Sequence, residues 1–255
     1  MHPLKRRRIL FLDRLGVARR SAGHYREAEN LHRRAVLLAE EVLDLRGVEF
    51  IALLNNLGVA LKYSGKFTEA KRTYGRALEL LQSLPQPNED LLASLHHNLG
   101  GVEHALGRYA EAEPHARRSV ELRTRILGEH HPATAADLAA LASILDGLGK
   151  RQEAEQLFRQ ALDVFESAYG PEHYEIAVTL NDLAALLQQR EDWAEAESLY
   201  LRALQMKTRL LGRKHPEVAV TANNLAALYS AMGRLEKAQV GGPLPGDSGH
   251  LRGLP

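Results

Sequence analysis

Gly65-Lys66-Phe67-Thr68-Glu69-Ala70 decides how this chain is read, because close relatives of it recur along the whole length. They are Gly23-His24-Tyr25-Arg26-Glu27-Ala28, Gly107-Arg108-Tyr109-Ala110-Glu111-Ala112 and Gly149-Lys150-Arg151-Gln152-Glu153-Ala154. Glu191-Asp192-Trp193-Ala194-Glu195-Ala196 and Gly233-Arg234-Leu235-Glu236-Lys237-Ala238 follow. The closing alanines, Ala28, Ala70, Ala112, Ala154, Ala196 and Ala238, are each 42 residues from the next. A fixed period of this size marks stacked repeats, in which each unit buries its apolar face against its neighbours.

Within one period the apolar pattern is helical. Leu53, Leu54, Leu57, Ala60 and Leu61 return at three- and four-residue steps and form one stripe. Ser64-Gly65 ends that helix, glycine readily entering the left-handed conformation past a helix end. Phe67, Ala70, Tyr74, Ala77, Leu78 and Leu81 mark a second helix, and Pro85 and Pro87 close the unit. Applied along the chain, the pattern predicts first helices near 6–22, 47–64, 88–106, 132–148, 173–190 and 215–232. Second helices are expected near 25–45, 67–82, 109–126, 151–168 and 193–210, with a stub from 235. Leu15, Leu57, Leu99, Leu141, Leu183 and Leu225 hold equivalent places, each followed by glycine or alanine. The small residue and the anchor alanine are read as the places where two helices cross closely.

Composition agrees with an all-helical chain, rich in Ala, Leu, Glu and Arg with aromatics at 5%. A net charge of +1 gives no general reason to expect nucleic acid, although residues 1–34 carry ten Lys or Arg against three acids. There is no cysteine, which excludes disulfides and thiolate chemistry and fits a cytoplasmic setting. Lys5-Arg6-Arg7-Arg8 precedes an apolar run of only Ile9 to Leu12, too short for a signal peptide or a membrane span. An Arg-rich transit peptide is the alternative, set against Leu15-Gly16 already being in repeat register.

Connectors repeat as well: Leu127-Gly128-Glu129-His130-His131-Pro132, Tyr169-Gly170-Pro171-Glu172-His173-Tyr174 and Leu211-Gly212-Arg213-Lys214-His215-Pro216. Glycine stops one helix and proline opens the next. These connectors, together with Leu-Asn-Asn-Leu-Gly at 54–58, Asn-Asn-Leu-Ala-Ala-Leu-Tyr at 223–229 and the Gly-x-Tyr/Phe-x-Glu-Ala turns, resemble the tetratricopeptide repeat (TPR). The resemblance is to the long variant found in kinesin light chains and many bacterial proteins. It implies an all-α fold, a right-handed superhelical solenoid of antiparallel helix pairs with about five and a half repeats. Residues 1–240 would form the solenoid, and the Gly/Pro-rich 241–255 a disordered tail. No capping helix is visible at the C-terminal end, so Leu225, Leu228 and Tyr229 are expected to lack part of their cover. A fragment, a shifted frame near 240 and a partner capping that end all remain open.

No nucleotide-binding glycine loop, Gly-x-Ser-x-Gly elbow or His-Glu-x-x-His occurs, and no catalytic constellation emerges. The chain is read as non-enzymatic, with no cofactor and no metal. His131, His173 and His215 are repeat-related, hence on units roughly 10 Å apart, too far to share a zinc ion needing nitrogens within about 2.1 Å. A structural role at helix starts is expected for them. His97 and His104 share one helix face with nothing to complete a metal site.

The resemblance implies that first helices line the concave face. It would present residues fourteen before each anchor alanine (Arg14, Asn56, Asn98, Asp182, Asn224), fifteen before (Asn55, His97, Asn181, Asn223) and eight before (Arg20, Lys62, His104), with Tyr63 beside them. Asparagine is a poor choice inside a helix, so its recurrence needs a reason. One reading is a row of amides that hold the backbone of a bound peptide; the other is hydrogen bonding that braces adjacent repeats. The basic residues lie in the first three repeats and Asp146 and Asp182 in the next two, matching a peptide with an acidic segment. The function expected is a scaffold that binds a partner's peptide in this groove. The rivals are a sensor or oligomerisation fragment of a larger signalling ATPase or regulator, self-associating through uncapped ends, and a nucleic-acid binder using Lys5 to Arg8 with Arg14, Arg19 and Arg20.

Overall fold

The computed structural model describes residues 3–42 and 47–234. The stub expected from 235, its anchor Ala238 and the tail at 241–255 lie outside the described residues. Within them the chain forms eleven α-helices and no strand: α1 (Pro3–Ser21), α2 (Tyr25–Glu40), α3 (Val48–Tyr63), α4 (Phe67–Gln82), α5 (Glu89–Ala105), α6 (Tyr109–Leu127), α7 (Pro132–Gly147), α8 (Arg151–Tyr169), α9 (Tyr174–Gln189), α10 (Trp193–Leu211) and α11 (Pro216–Ala231). The helices fall where the periodicity puts them, except that α2 stops at Glu40 and residues 43–46 are not described.

The chain divides into two compact units, Met1–Gly128 and Glu129–Pro255. Each consists of stacked helix pairs, α1/α2, α3/α4 and α5/α6 in the first, α7/α8, α9/α10 and α11 in the second. Within the units α2 also packs on α3, α4 on α5, α8 on α9 and α10 on α11. Backbones of successive first helices approach one another, whereas those of successive second helices do not. The first helices are therefore the tighter, inner layer of each unit, which is the stacked helix-pair architecture anticipated from the period.

Local signals explain the helix ends. Gly65 turns between α3 and α4 with φ of 75°, and at the matching place of the fifth repeat Glu191 adopts φ of 65°. That is a conformation a side chain tolerates only at a cost of about 1 kcal/mol. The three connector histidines are helix caps: Nδ1 of His131, His173 and His215 accepts from the backbone N–H of Ala133, Glu175 and Glu217 at 3.1, 3.3 and 3.2 Å. Their structural role is thus observed. Asn88 does the same for α5 through Leu91 N–H at 2.8 Å.

Packing follows the repeat, with one correction. Anchor alanines 28, 70, 112, 154 and 196 have no exposed surface. The small residue twelve before the anchor, however, mostly meets a side chain rather than a backbone. A methyl group on Gly58 would lie 2.4 Å from the Tyr74 ring, and one on Gly16 2.6 Å from the His32 ring. Only at Gly100, where Ala116 replaces the ring, would it meet backbone, at 3.4 Å from Ala116 N and 3.5 Å from Ala112 O. So the position receives the residue four past the anchor: His32, Tyr74, Ala116, Phe158 and Tyr200 in turn. The expected gap in cover at the far end is also corrected. Leu225, Leu228 and Tyr229 are all buried, α11 packs on α10, and the Tyr229 hydroxyl donates to Glu197 Oε1 at 3.1 Å.

A half-buried polar pair interrupts this packing. His96 on α5 and His115 on α6 bring Nδ1 to Nδ1 at 2.9 Å, one donating and the other accepting. Burial, then the neighbouring His115 and Arg118, push His96 down to about 4. Burial also lowers His115, joined by Lys71 and opposed by Glu103.

Two stability tests come from these contacts. Gly58→Ala should destabilise by about 1–2 kcal/mol, the ring clash outweighing the helix propensity gained. Gly100→Ala meets only ordinary van der Waals neighbours and should stabilise by up to about 1 kcal/mol. Urea melts of the two variants would show opposite shifts. For the histidine pair, an unfolded chain binds its protons near 6.5, the folded one only at lower pH. The native state then holds fewer protons between those values, so stability should fall as pH drops from about 6.5 toward 4. Replacing both residues, His96→Leu with His115→Leu, should flatten that part of the stability–pH curve.

Candidate interaction surface on the first helices

The amide row is a set of braces between adjacent first helices. Asn56 Nδ2 donates to Asp13 Oδ1 at 3.0 Å, Asn98 Nδ2 to Asn55 Oδ1 at 2.9 Å, and Asn224 Nδ2 to Asn181 Oδ1 at 3.2 Å. Each bond joins the residue fourteen before one anchor to the residue fifteen before the preceding anchor, 43 positions apart. Where the fourth repeat offers Ala139, no acceptor exists, and Asp182 instead accepts from Asn181 of its own helix at 3.0 Å. Each half-buried bond of this kind contributes roughly 0.5–1.5 kcal/mol. These bonds engage the amide nitrogens of Asn56, Asn98, Asn181 and Asn224, on which the peptide-holding reading relied, and the amide oxygen of Asn55. Asn223 stays exposed.

The charged positions behave differently. Arg14 is exposed and Arg20 half-buried. Lys62 is half-buried with Nζ reaching toward the third repeat, 3.6 Å from where a Gly101 side chain would begin. Burial, with the charge of Arg20, holds Lys62 below the usual lysine range. Around them stands an aromatic group that the sequence signalled only through Tyr63. Tyr63 is 50% exposed and stacks on Tyr25 of the first repeat, centroids 5.1 Å apart. The Tyr63 ring also lies 6.0 Å from Arg20 Cζ and 5.7 Å from Lys62 Nζ, within cation–π range. His104, its protonation disfavoured by burial, meets Tyr109 edge-on at 5.3 Å. His97 is half-buried on the same helix.

In the second unit the inner layer is acidic. Burial raises Asp182 above the usual carboxylate range, opposed by the Asn181 hydrogen bond and by Lys207, and reinforced by Glu217 and Asp146. Asp146 Oδ2 accepts from Gln189 Nε2 at 3.3 Å. Among the described residues no cluster of His, Asp or Glu has the geometry to hold a metal ion. No described helix is long and apolar enough to cross a membrane.

The outer layer has a contrasting chemistry: many of its basic residues are ion-paired. Arg33 meets Glu69 at 2.6 Å, Lys66 meets Glu29 at 2.6 Å, Arg76 meets Glu40 at 2.9 Å, and Arg159 meets Glu195 at 2.9 Å. Among the described residues Arg14, Arg20 and Lys62 make no ion pair, and their charge faces outward from the inner layer uncompensated.

Comparison with known proteins agrees with this geometry. A tetratricopeptide repeat family model matches residues 8–83, 91–167 and 175–239. Similar solved structures include BtubC (BKLC) from P. vanneervenii, at 23% identity over 97% of both chains with a TM-score of 0.64. A Podosopora anserina protein assigned as a kinesin light chain, with nearly identical TPR-like repeats, is 20% identical over 83% of this chain and 99% of that one, TM-score 0.64. A Rap protein complexed with competence and sporulation factor is 14% identical over 92% of this chain and 72% of that one, TM-score 0.68. At such identities the likeness concerns the fold. No curated protein sequence matches the chain. Its 42-residue helix pairs, small-residue crossings and family match together make the chain a member of the tetratricopeptide repeat family.

Proposed function

We propose that this protein is a non-enzymatic interaction scaffold whose first-helix layer binds an extended segment of a protein partner. One observation carries the reading: Arg14, Arg20 and Lys62 of the inner layer make no ion pair among the described residues, whereas many cations of the outer layer, Arg33, Lys66, Arg76 and Arg159 among them, do. Uncompensated like charges held near one another repel, and a partner bearing carboxylates or other anions relieves that repulsion on binding. The exposed Tyr63 ring adds a rigid aromatic contact of the kind that anchors interfaces. A protein of similar fold, the Rap protein, is seen complexed with competence and sporulation factor, which supports assigning a binding role to the architecture. The 42-residue register runs without a slip from Ala28 to Ala238, which supports treating residues 1–240 as one array. The amides that brace the repeats retain a carbonyl or a second N–H for a ligand, but recognition rests on the cations and Tyr63.

The test is capture of partners from the native cell extract. Arg14→Glu combined with Tyr63→Ala changes only exposed inner-layer side chains, and should weaken partner binding about tenfold or more. Arg72→Glu combined with Glu79→Lys on the outer face of α4 should leave the same partners bound. Equal capture by both variants would refute an inner-layer binding surface.

A further inference from the structure

The repeat shows what one buried hydroxyl lacks. In the fifth repeat the Tyr200 hydroxyl, buried on α10, donates to Gln188 Oε1 at 3.1 Å. Tyr74 holds the same place in the second repeat, fully buried, and its hydroxyl has no hydrogen-bond partner. The residue matching Gln188 there is Lys62, an ammonium that offers donors and no acceptor. Arg20, the matching residue of the first repeat, is likewise a pure donor. Both cations flank the Tyr63 ring, with Arg20 Cζ at 6.0 Å and Lys62 Nζ at 5.7 Å from its centroid. Neither has a carboxylate partner among the described residues. An arginine and a lysine thus flank one ring without an anionic partner, and the unsatisfied Tyr74 phenol holds the repeat position that in the fifth repeat touches the residue equivalent to Lys62.

The charge count selects the ligand. A carboxylate would bring one negative charge to two cations. A phosphate monoester brings close to two, with three acceptor oxygens for three donor groups. His104, the next residue in the row, is kept neutral by burial at ordinary pH and does not change that count. Reaching the Tyr74 hydroxyl requires a side-chain shift, which the long, flexible Lys62 stem can supply. The stacked Tyr63 and Tyr25 rings form a rigid wall beside the site.

We propose that Arg20, Lys62 and the Tyr74 hydroxyl form a phosphate-monoester site that reads a phosphorylated side chain on a bound peptide. The peptide part of this statement rests on the inner-layer reading above; the phosphate part stands on the three donors alone.

Thermal melts of the intact protein at constant ionic strength test it with three probes: inorganic phosphate, N-acetyl-phosphoserine amide and N-acetyl-glutamate amide. A ligand that binds only the folded state raises the melting temperature saturably. Both phosphate probes should do so, and the glutamate probe should need at least about tenfold more ligand for the same rise. Arg20→Gln with Lys62→Gln should abolish the rise. Tyr74→Phe, which keeps the ring packed against Gly58, should weaken it several-fold at unchanged helicity. An equal rise with glutamate, a rise surviving the double variant, or no rise with either phosphate probe would overturn the phosphate site. A short single-stranded oligonucleotide producing the same rise would overturn the peptide assignment in favour of a nucleic-acid backbone. Should the phosphate probes fail while Arg14→Glu with Tyr63→Ala still loses partners, the phosphate site falls and the scaffold reading stands. The reverse pattern retires the scaffold reading alone.

Discussion

Everything in this fold depends on how closely the two helices of a repeat can approach. The anchor alanine, fully buried in every repeat where it is described, brings the second helix down onto the first. The glycine or alanine twelve residues earlier makes room for what comes four residues after. At Gly58 the space is so small that a single methyl group would fall 2.4 Å from Tyr74. With the crossing fixed identically at each repeat, every other position keeps a constant place relative to its neighbours. That constancy lets one asparagine meet the next across 43 residues, and a row of basic residues collect in one layer.

Much of this was legible in the sequence because the constraint is local and repeated. The period, the turn at Gly65, the helix limits and the capping histidines all depend on short stretches whose chemistry has one reading. What the small residue meets was less legible. The sequence shows that Gly58 is small, but not whether backbone or the Tyr74 ring presses on it, since that depends on the angle at which the helices cross. The same limit applied to Asn56 and Asn98. An amide inside a helix must satisfy itself somewhere, and periodicity places it on the inner layer without saying whether the neighbouring helix or a ligand supplies the acceptor. The neighbour, Asp13 for one and Asn55 for the other, turned out to be within 3.0 and 2.9 Å. The end of the array was misjudged for a related reason: Tyr229 reaches Glu197 on α10, which a count of missing helices does not reveal.

A division of labour between polar residues follows. Amides on the inner layer hold repeats in register, and outer-layer arginines such as Arg33, Arg76 and Arg159 pair with glutamates of adjacent repeats. Arg14, Arg20 and Lys62 on the inner layer of the first unit make no ion pair among the described residues, and Arg20 and Lys62 stand beside the exposed Tyr25–Tyr63 stack. A scaffold of this family gains specificity by changing such residues without disturbing the crossings beneath them. Arg20, Lys62 and Tyr74 illustrate the point: they occupy repeat positions that elsewhere hold Gln188 and Tyr200, a pair satisfied within the fold. With lysine in the acceptor's place, the Tyr74 hydroxyl has no hydrogen-bond partner.

The bracing role of the inner-layer amides is tested most directly by a double-mutant cycle on Asn55 and Asn98, read as unfolding free energy. If the pair is a brace, Asn55→Ala, Asn98→Ala and the double variant should show a coupling energy of about 1 kcal/mol. Additive effects, with no coupling, would mean that the two amides do not depend on each other, and would contradict the account.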